Sequence, residues 1–174
     1  MLTDAMLRYQ RGLTVLESGD PAALEALSSE LVGFPHGEDP YVGRRWITNG
    51  IDVGSRVSVQ WMLSQSVDLN FRDAEGYTPL HSALGRELPD RHEVLELLLA
   101  AGAPVNLKGV NDWTPAHMAA AYDDVEALRI LVRYGADLTI RTEIDDYATP
   151  LEEARNLGKL EAVKYLEGVV TRRG

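Results

Sequence analysis

The stretch EGYTPLHSA, residues 75–83, returns as NDWTPAHMA at 111–119 and as DYATPLEEA at 146–154. Thr78, Thr114 and Thr149 are therefore spaced by 36 and 35 residues. A near-fixed interval of this size signals supersecondary units, each burying one face against the next copy. The stretch itself looks like a helix start. Thr78 can cap, its hydroxyl accepting from an orphan N–H of the first turn. Pro79 falls on the first helical position, where a missing N–H costs nothing. Leu80 and Ala83 then point inward, and the small alanine lets helices approach closely. His81 stands three residues after Thr78, within reach of a hydrogen bond back across the turn. For His81 and His117, stapling of the helix start stands beside a metal or catalytic role. The four histidines, at 36, 81, 92 and 117, show no HExxH or i,i+4 metal-binding spacing.

The second half of each unit aligns in the same phase. VEALRILVRYGADL, 125–138, places Ala127, Leu128, Ile130, Leu131 and Val132 on an apolar helical face, and Gly135 ends that helix. HEVLELLLAAGAPVN repeats the arrangement with Leu95, Leu97, Leu98, Leu99 and Gly102. LEAVKYLEGVV does so with Val163, Tyr165 and Leu166. An earlier unit lacks Thr-Pro but keeps Gly54 between two helices, with Val57, Val59, Met62 and Leu63 on the second; Ser66 stands where Gly135 stands in the later unit. Upstream, VLESGDPAALEAL, 15–27, has its own turn, with Asp20 able to cap and Pro21 at the first helical position.

The bounds are those of one globular domain of 174 residues, 45% hydrophobic and 25% charged. A formal net charge of -10 argues against nucleic acid, which selects a basic footprint. Without cysteine there is neither a disulfide framework nor a thiolate zinc site. The first residues carry no signal-peptide pattern, and no apolar run approaches the roughly 20 residues of a membrane span. A cytoplasmic protein with no cofactor, no metal, no nucleic acid and no membrane association is expected. Catalytic patterns fail too: Asp123-Asp124 and Asp145-Asp146 are sequence neighbours that face apart on turns, and there is no Gly-x-Ser-x-Gly elbow.

The Thr-Pro-Leu-His-x-Ala motif, its phase and the two Gly-Ala turns resemble the ankyrin-repeat family. What the resemblance implies is an all-α solenoid of stacked helix-turn-helix pairs with finger loops, one domain over 1–174. A helical N-terminal cap or degenerate repeat is expected at 1–32, with repeats at 41–69, 70–105, 106–138 and 139–170. Three departures stand out. LGRELPDRHEV carries about three residues too many between its helices and predicts a longer surface turn with Pro89 and Asp90. LTIRTEIDDYAT is two residues too long for its finger. Glu152 replaces the motif histidine in a polar last unit, as a solenoid end facing water requires.

Such repeats bind other proteins along a concave face and finger loops. Asn49, Asp52, Ser82, Arg86, Met118 and Tyr122 are the first-helix positions expected to face that way. Together with the fingers they give a candidate partner-binding set: Phe71, Asp73, Glu75, Tyr77, Asp112, Trp113, Met118, Tyr122, Ile144, Asp145, Asp146 and Tyr147. Aromatic residues are the usual anchors of interfaces. An acidic surround suits a partner with lysine or arginine at its site, such as a toxin or enzyme. Packing of Tyr77 and Trp113 on neighbouring fingers, and bonding of Asp73 and Asp112 to hairpin backbone, are the competing structural roles. GVNDWTPAHMAA and RTEIDDYATPLEEA are also similar to small stand-alone bacterial ankyrin-repeat proteins, some of them toxin-associated. That likeness implies a non-enzymatic inhibitor of immunity type; an adaptor joining two partners is the alternative.

Overall fold

The computed structural model describes residues 3–144 and 147–173. Its helices are α1 (Asp4–Ser18), α2 (Pro21–Glu30), α3 (Trp46–Val53), α4 (Arg56–Ser64), α5 (Pro79–Gly85), α6 (Arg91–Ala100), α7 (Pro115–Ala121), α8 (Val125–Arg133), α9 (Pro150–Asn156) and α10 (Leu160–Arg173). A short 3₁₀ turn covers Val110–Asp112. Among the described residues the only β-pairing is an isolated antiparallel bridge between Glu38 and Arg45.

Consecutive helices pack as hairpins, α1 on α2 through to α9 on α10. The hairpins stack in register, α1, α3, α5, α7 and α9 forming one row and α2, α4, α6, α8 and α10 the other. Leu24, Ile47, Ile51, Met62, Leu80, Leu95, Leu98, Leu128 and Leu131 fill the space between the rows, each below 3% exposed. The architecture is an all-α solenoid, and the α1–α2 hairpin continues the same two rows.

The helix starts follow from local chemistry. Thr78 accepts from the His81 N–H at 3.4 Å, Asp20 from Ala22 at 3.0 Å, and Asp124 from Ala127 at 3.0 Å. Thr149 and Glu152 cap reciprocally, the Thr149 N–H donating to Glu152 Oε2 at 2.8 Å. The helix ends differ in one respect. Gly102 and Gly135 turn the chain with φ of 92° and 88°, but Ser66 takes φ 59° at the equivalent turn. A side chain in the left-handed region costs about 1–2 kcal/mol. Ser66→Gly is therefore expected to raise stability by about 1 kcal/mol, read as a shift of the urea midpoint without change in slope.

Two expectations about the inner row are corrected. Asn49 and Arg86 do not face out, being 2% and 3% exposed. Asn49 donates to Asp39 Oδ2 at 3.0 Å. Asp39 also accepts from the N–H groups of Tyr41, Val42 and Arg44, so the pair moulds the first finger from inside. The longer turn does lie between α5 and α6, with Pro89 exposed, but its first residue points inward. The Arg86 guanidinium donates to Asp90 Oδ1 at 2.9 Å, to the Gly54 carbonyl at 2.7 Å and to the Ile51 carbonyl. It thereby satisfies the last carbonyls of α3 and anchors the turn at once.

Candidate partner-binding face

The motif histidines build the face by tying each unit to the next finger. A carbonyl can only accept, so His81 Nε2 carries the proton it donates to the Trp113 carbonyl at 3.1 Å. Nδ1 is left to accept from the Thr78 hydroxyl at 2.7 Å. His117 repeats the scheme, Nε2 donating to the Ala148 carbonyl at 3.0 Å while Nδ1 accepts from the Thr114 N–H at 3.2 Å. Burial pushes the His81 pKa down to about 4 and also lowers that of His117. Both ring nitrogens of each histidine are thus committed, which leaves none for a metal or a proton transfer. At the third Thr-Pro, Glu152 keeps the cap and takes a bidentate contact from Arg141 at 2.7 and 3.0 Å instead of reaching a further finger.

Finger packing is close enough to dictate a glycine. The Gly109 N–H donates to the Trp113 carbonyl at 2.7 Å, the atom that His81 also holds. A Cβ on Gly109 would stand 2.7 Å from His81 Cε1 and 2.8 Å from the Gly76 carbonyl oxygen. Gly109→Ala is therefore expected to cost about 1–3 kcal/mol, as overpacking does. Denaturant unfolding would measure it, and a cost near zero would mean that the finger does not sit on His81. Further ties run between fingers. Arg72 Nε donates to the Lys108 carbonyl at 2.5 Å. Asp112 Oδ2 accepts from the Glu143 N–H at 2.5 Å and from Lys108 Nζ at 2.9 Å.

The candidate residues separate into three groups on this frame. Phe71 and Met118 are buried, 9% and 3% exposed, and Arg45 lies over the Phe71 ring at 4.2 Å. Tyr77 and Trp113 are half-buried and pack on the core, Asp73 accepts from the Glu75 and Tyr77 N–H groups of its own turn, and Asp112 ties two fingers. Glu75 is exposed, as are Tyr122, Ile144 and Tyr147 at 51, 55 and 62%. Asp145 and Asp146 lie outside the described residues.

A groove of about 460 Å³ runs along the inner row over α3, α5 and α7. It brings together Asp73, Glu75, Tyr77, Met118 and Tyr122; Phe71, Asp112, Trp113, Ile144 and Tyr147 do not line it. Arg44, Gly85 and Glu87 line it as well, and the sequence reading gave them no such role. Arg44 alone had a signal, since its position eight before Asp52 allows the observed 2.7 Å ion pair.

Stacked helical hairpins joined by histidine-stapled fingers define a helical-repeat solenoid. Residues 90–169 match the family model for ankyrin repeats in three copies, so this stretch of the chain carries ankyrin repeats. It is 42% identical over 77 residues to human BCL-6 corepressor-like protein 1, covering 44% of this chain and 4% of that protein. It is 34% identical over 108 residues to mouse RelA-associated inhibitor, covering 62% and 12%. It is 34% identical over 105 residues to mouse protein phosphatase 1 regulatory subunit 12A, covering 60% and 10%. The chain thus matches only a small fraction of the length of these relatives. No described helix is long and apolar enough to cross a membrane.

Proposed function

We propose that this protein acts by binding rather than catalysis, and that its groove and exposed finger residues dock on a protein partner and inhibit it. The observation that carries this reading is the groove itself, concave and walled by Tyr77 and Tyr122 with acids at its edge. One relative supports inhibition through its name, an inhibitor, and a second, named a regulatory subunit, supports the coarser reading of a protein that acts on a protein partner. The narrower form of the proposal is an immunity-type inhibitor in the cytoplasm, covering a basic site on a toxin or enzyme. The net charge of -10 supports it, since opposite charge speeds encounter and suppresses wrong partners.

An adaptor is the second reading, favoured by one observation. The anchored turn exposes Leu88, and with Val53 and Pro89 it lines a second groove of about 550 Å³ that shares only Arg86 with the first. Capture of the partner on tagged full chain, followed by an activity assay of what co-purifies, separates the two: silenced in an inhibitor complex, active in an adaptor complex. In the same assay Tyr122→Ala/Tyr147→Ala is expected to weaken binding at least tenfold, about 1.4 kcal/mol, with helicity and melting unchanged. Unchanged affinity would remove the concave face from the account.

A further inference from the structure

The groove is more than a concave surface, because its floor is open at one helical position and two of its carboxylates are uncommitted. Gly85 closes α5 facing into it, and a Cβ built there would meet nothing nearer than Met118 Cε at 3.9 Å. The other charges of the groove are accounted for. Asp52 is paired with Arg44 at 2.7 Å, Arg86 with Asp90 at 2.8 Å, and Asp73 is occupied by its own turn. Glu75 and Glu87 are exposed, and their carboxylates hold no ion pair or hydrogen bond with the other described residues. The two belong to different segments, one on a finger and one after α5, with the Tyr77 and Tyr122 rings in the same groove. Rings and a thioether suit an aliphatic stem and the face of a cation, while two uncommitted carboxylates suit its charge.

We infer that this groove receives one long cationic side chain, arginine or lysine, from an extended segment of the partner, its stem over Gly85 and its head between Glu75 and Glu87. The inference rests on the concave-face reading and names what that face selects. A neutral side chain of equal length would leave both carboxylates uncompensated, and an acidic one would be repelled.

The test uses ¹⁵N-labelled full chain titrated with N-acetyl-arginine methylamide, N-acetyl-lysine methylamide and N-acetyl-norleucine methylamide. Saturable shifts of the Gly85, Glu75 and Glu87 amides are expected with the first or second compound and not with the third; which cation binds tighter distinguishes arginine from lysine. Gly85→Leu fills the floor at a position free of backbone strain and is expected to abolish those shifts. Glu75→Gln/Glu87→Gln leaves the fold untouched and is expected to weaken them at least tenfold. Equal shifts with norleucine, or shifts that survive both variants, overturn the inference. So does their complete absence with both cations. Failure here is distinguishable from failure of the broader reading. A captured partner that binds Gly85→Leu as well as the unaltered chain, yet is lost on Tyr122→Ala/Tyr147→Ala, overturns the side-chain pocket alone.

Discussion

Arg86→Ala is expected to destabilise the protein by about 3–5 kcal/mol, from two buried carbonyls left unsatisfied at about 1–3 kcal/mol each and the void beside them. The side chain is 1% exposed. Its loss strands the Ile51 and Gly54 carbonyls at the end of α3, frees Asp90, and leaves a void where the guanidinium stood. Asp90 is 29% exposed and can rehydrate, so most of the cost comes from the carbonyls and the void. Arg86→Lys keeps the charge but cannot span two carbonyls and a carboxylate with one ammonium, so it is expected to recover only part. Urea unfolding of both variants measures this, and a cost below about 1 kcal/mol for Arg86→Ala would mean that the turn is held by something else.

The second large effect is acid sensitivity. The folded chain keeps His81 neutral down to about pH 4, against an ordinary value of 6.5. Burial is the main cause; His117 and Arg72 act in the same direction, and the Trp113 carbonyl and Asp73 oppose it. Between those two values the unfolded chain binds a proton that the folded chain refuses, so stability falls as the pH falls from 6.5 to 4. The loss from His81 is about 3 kcal/mol at 1.36 kcal/mol per unit. His117, lowered by burial as well, adds to it with the same sign. Stability at pH 5 should therefore lie well below that at pH 7, and His81→Gln should flatten the slope while lowering the neutral-pH value. An imidazole resonance of His81 that titrates near 6.5 in the folded protein would contradict the geometry.

These two residues also mark how far the sequence could be followed. Threonine caps, proline starts and glycine turns are decisions made within four residues, so the hairpins and their phase were legible from the motif copies. The role of His81 as a staple was legible in part: its bond to Thr78 is local, but its bond to Trp113 spans 32 residues. Arg86 was placed on the concave face because a cation at the end of a helix next to a longer surface turn normally reaches solvent. Only the open carbonyls of α3, 32 and 35 residues earlier, turn it inward. The site shows the same divide. That fingers carry aromatics and acids is plain in the sequence, but which stay exposed depends on the adjoining unit. Arg45 covers Phe71, and the Glu143 N–H claims Asp112. Glu87 looked like part of an irregular turn until α5 and α7 enclosed a groove beside it.

The claim at the centre is that the inner row and fingers carry the partner. Hydrogen exchange of the full chain, alone and in complex with the captured partner, tests it most directly. Added protection is expected over residues 73–87 and 118–122 and at the finger residues 143–147, with α4, α6 and α8 unchanged. Protection confined to α4, α6 and α8, or to the turn at 88–90, would place the partner elsewhere and contradict it.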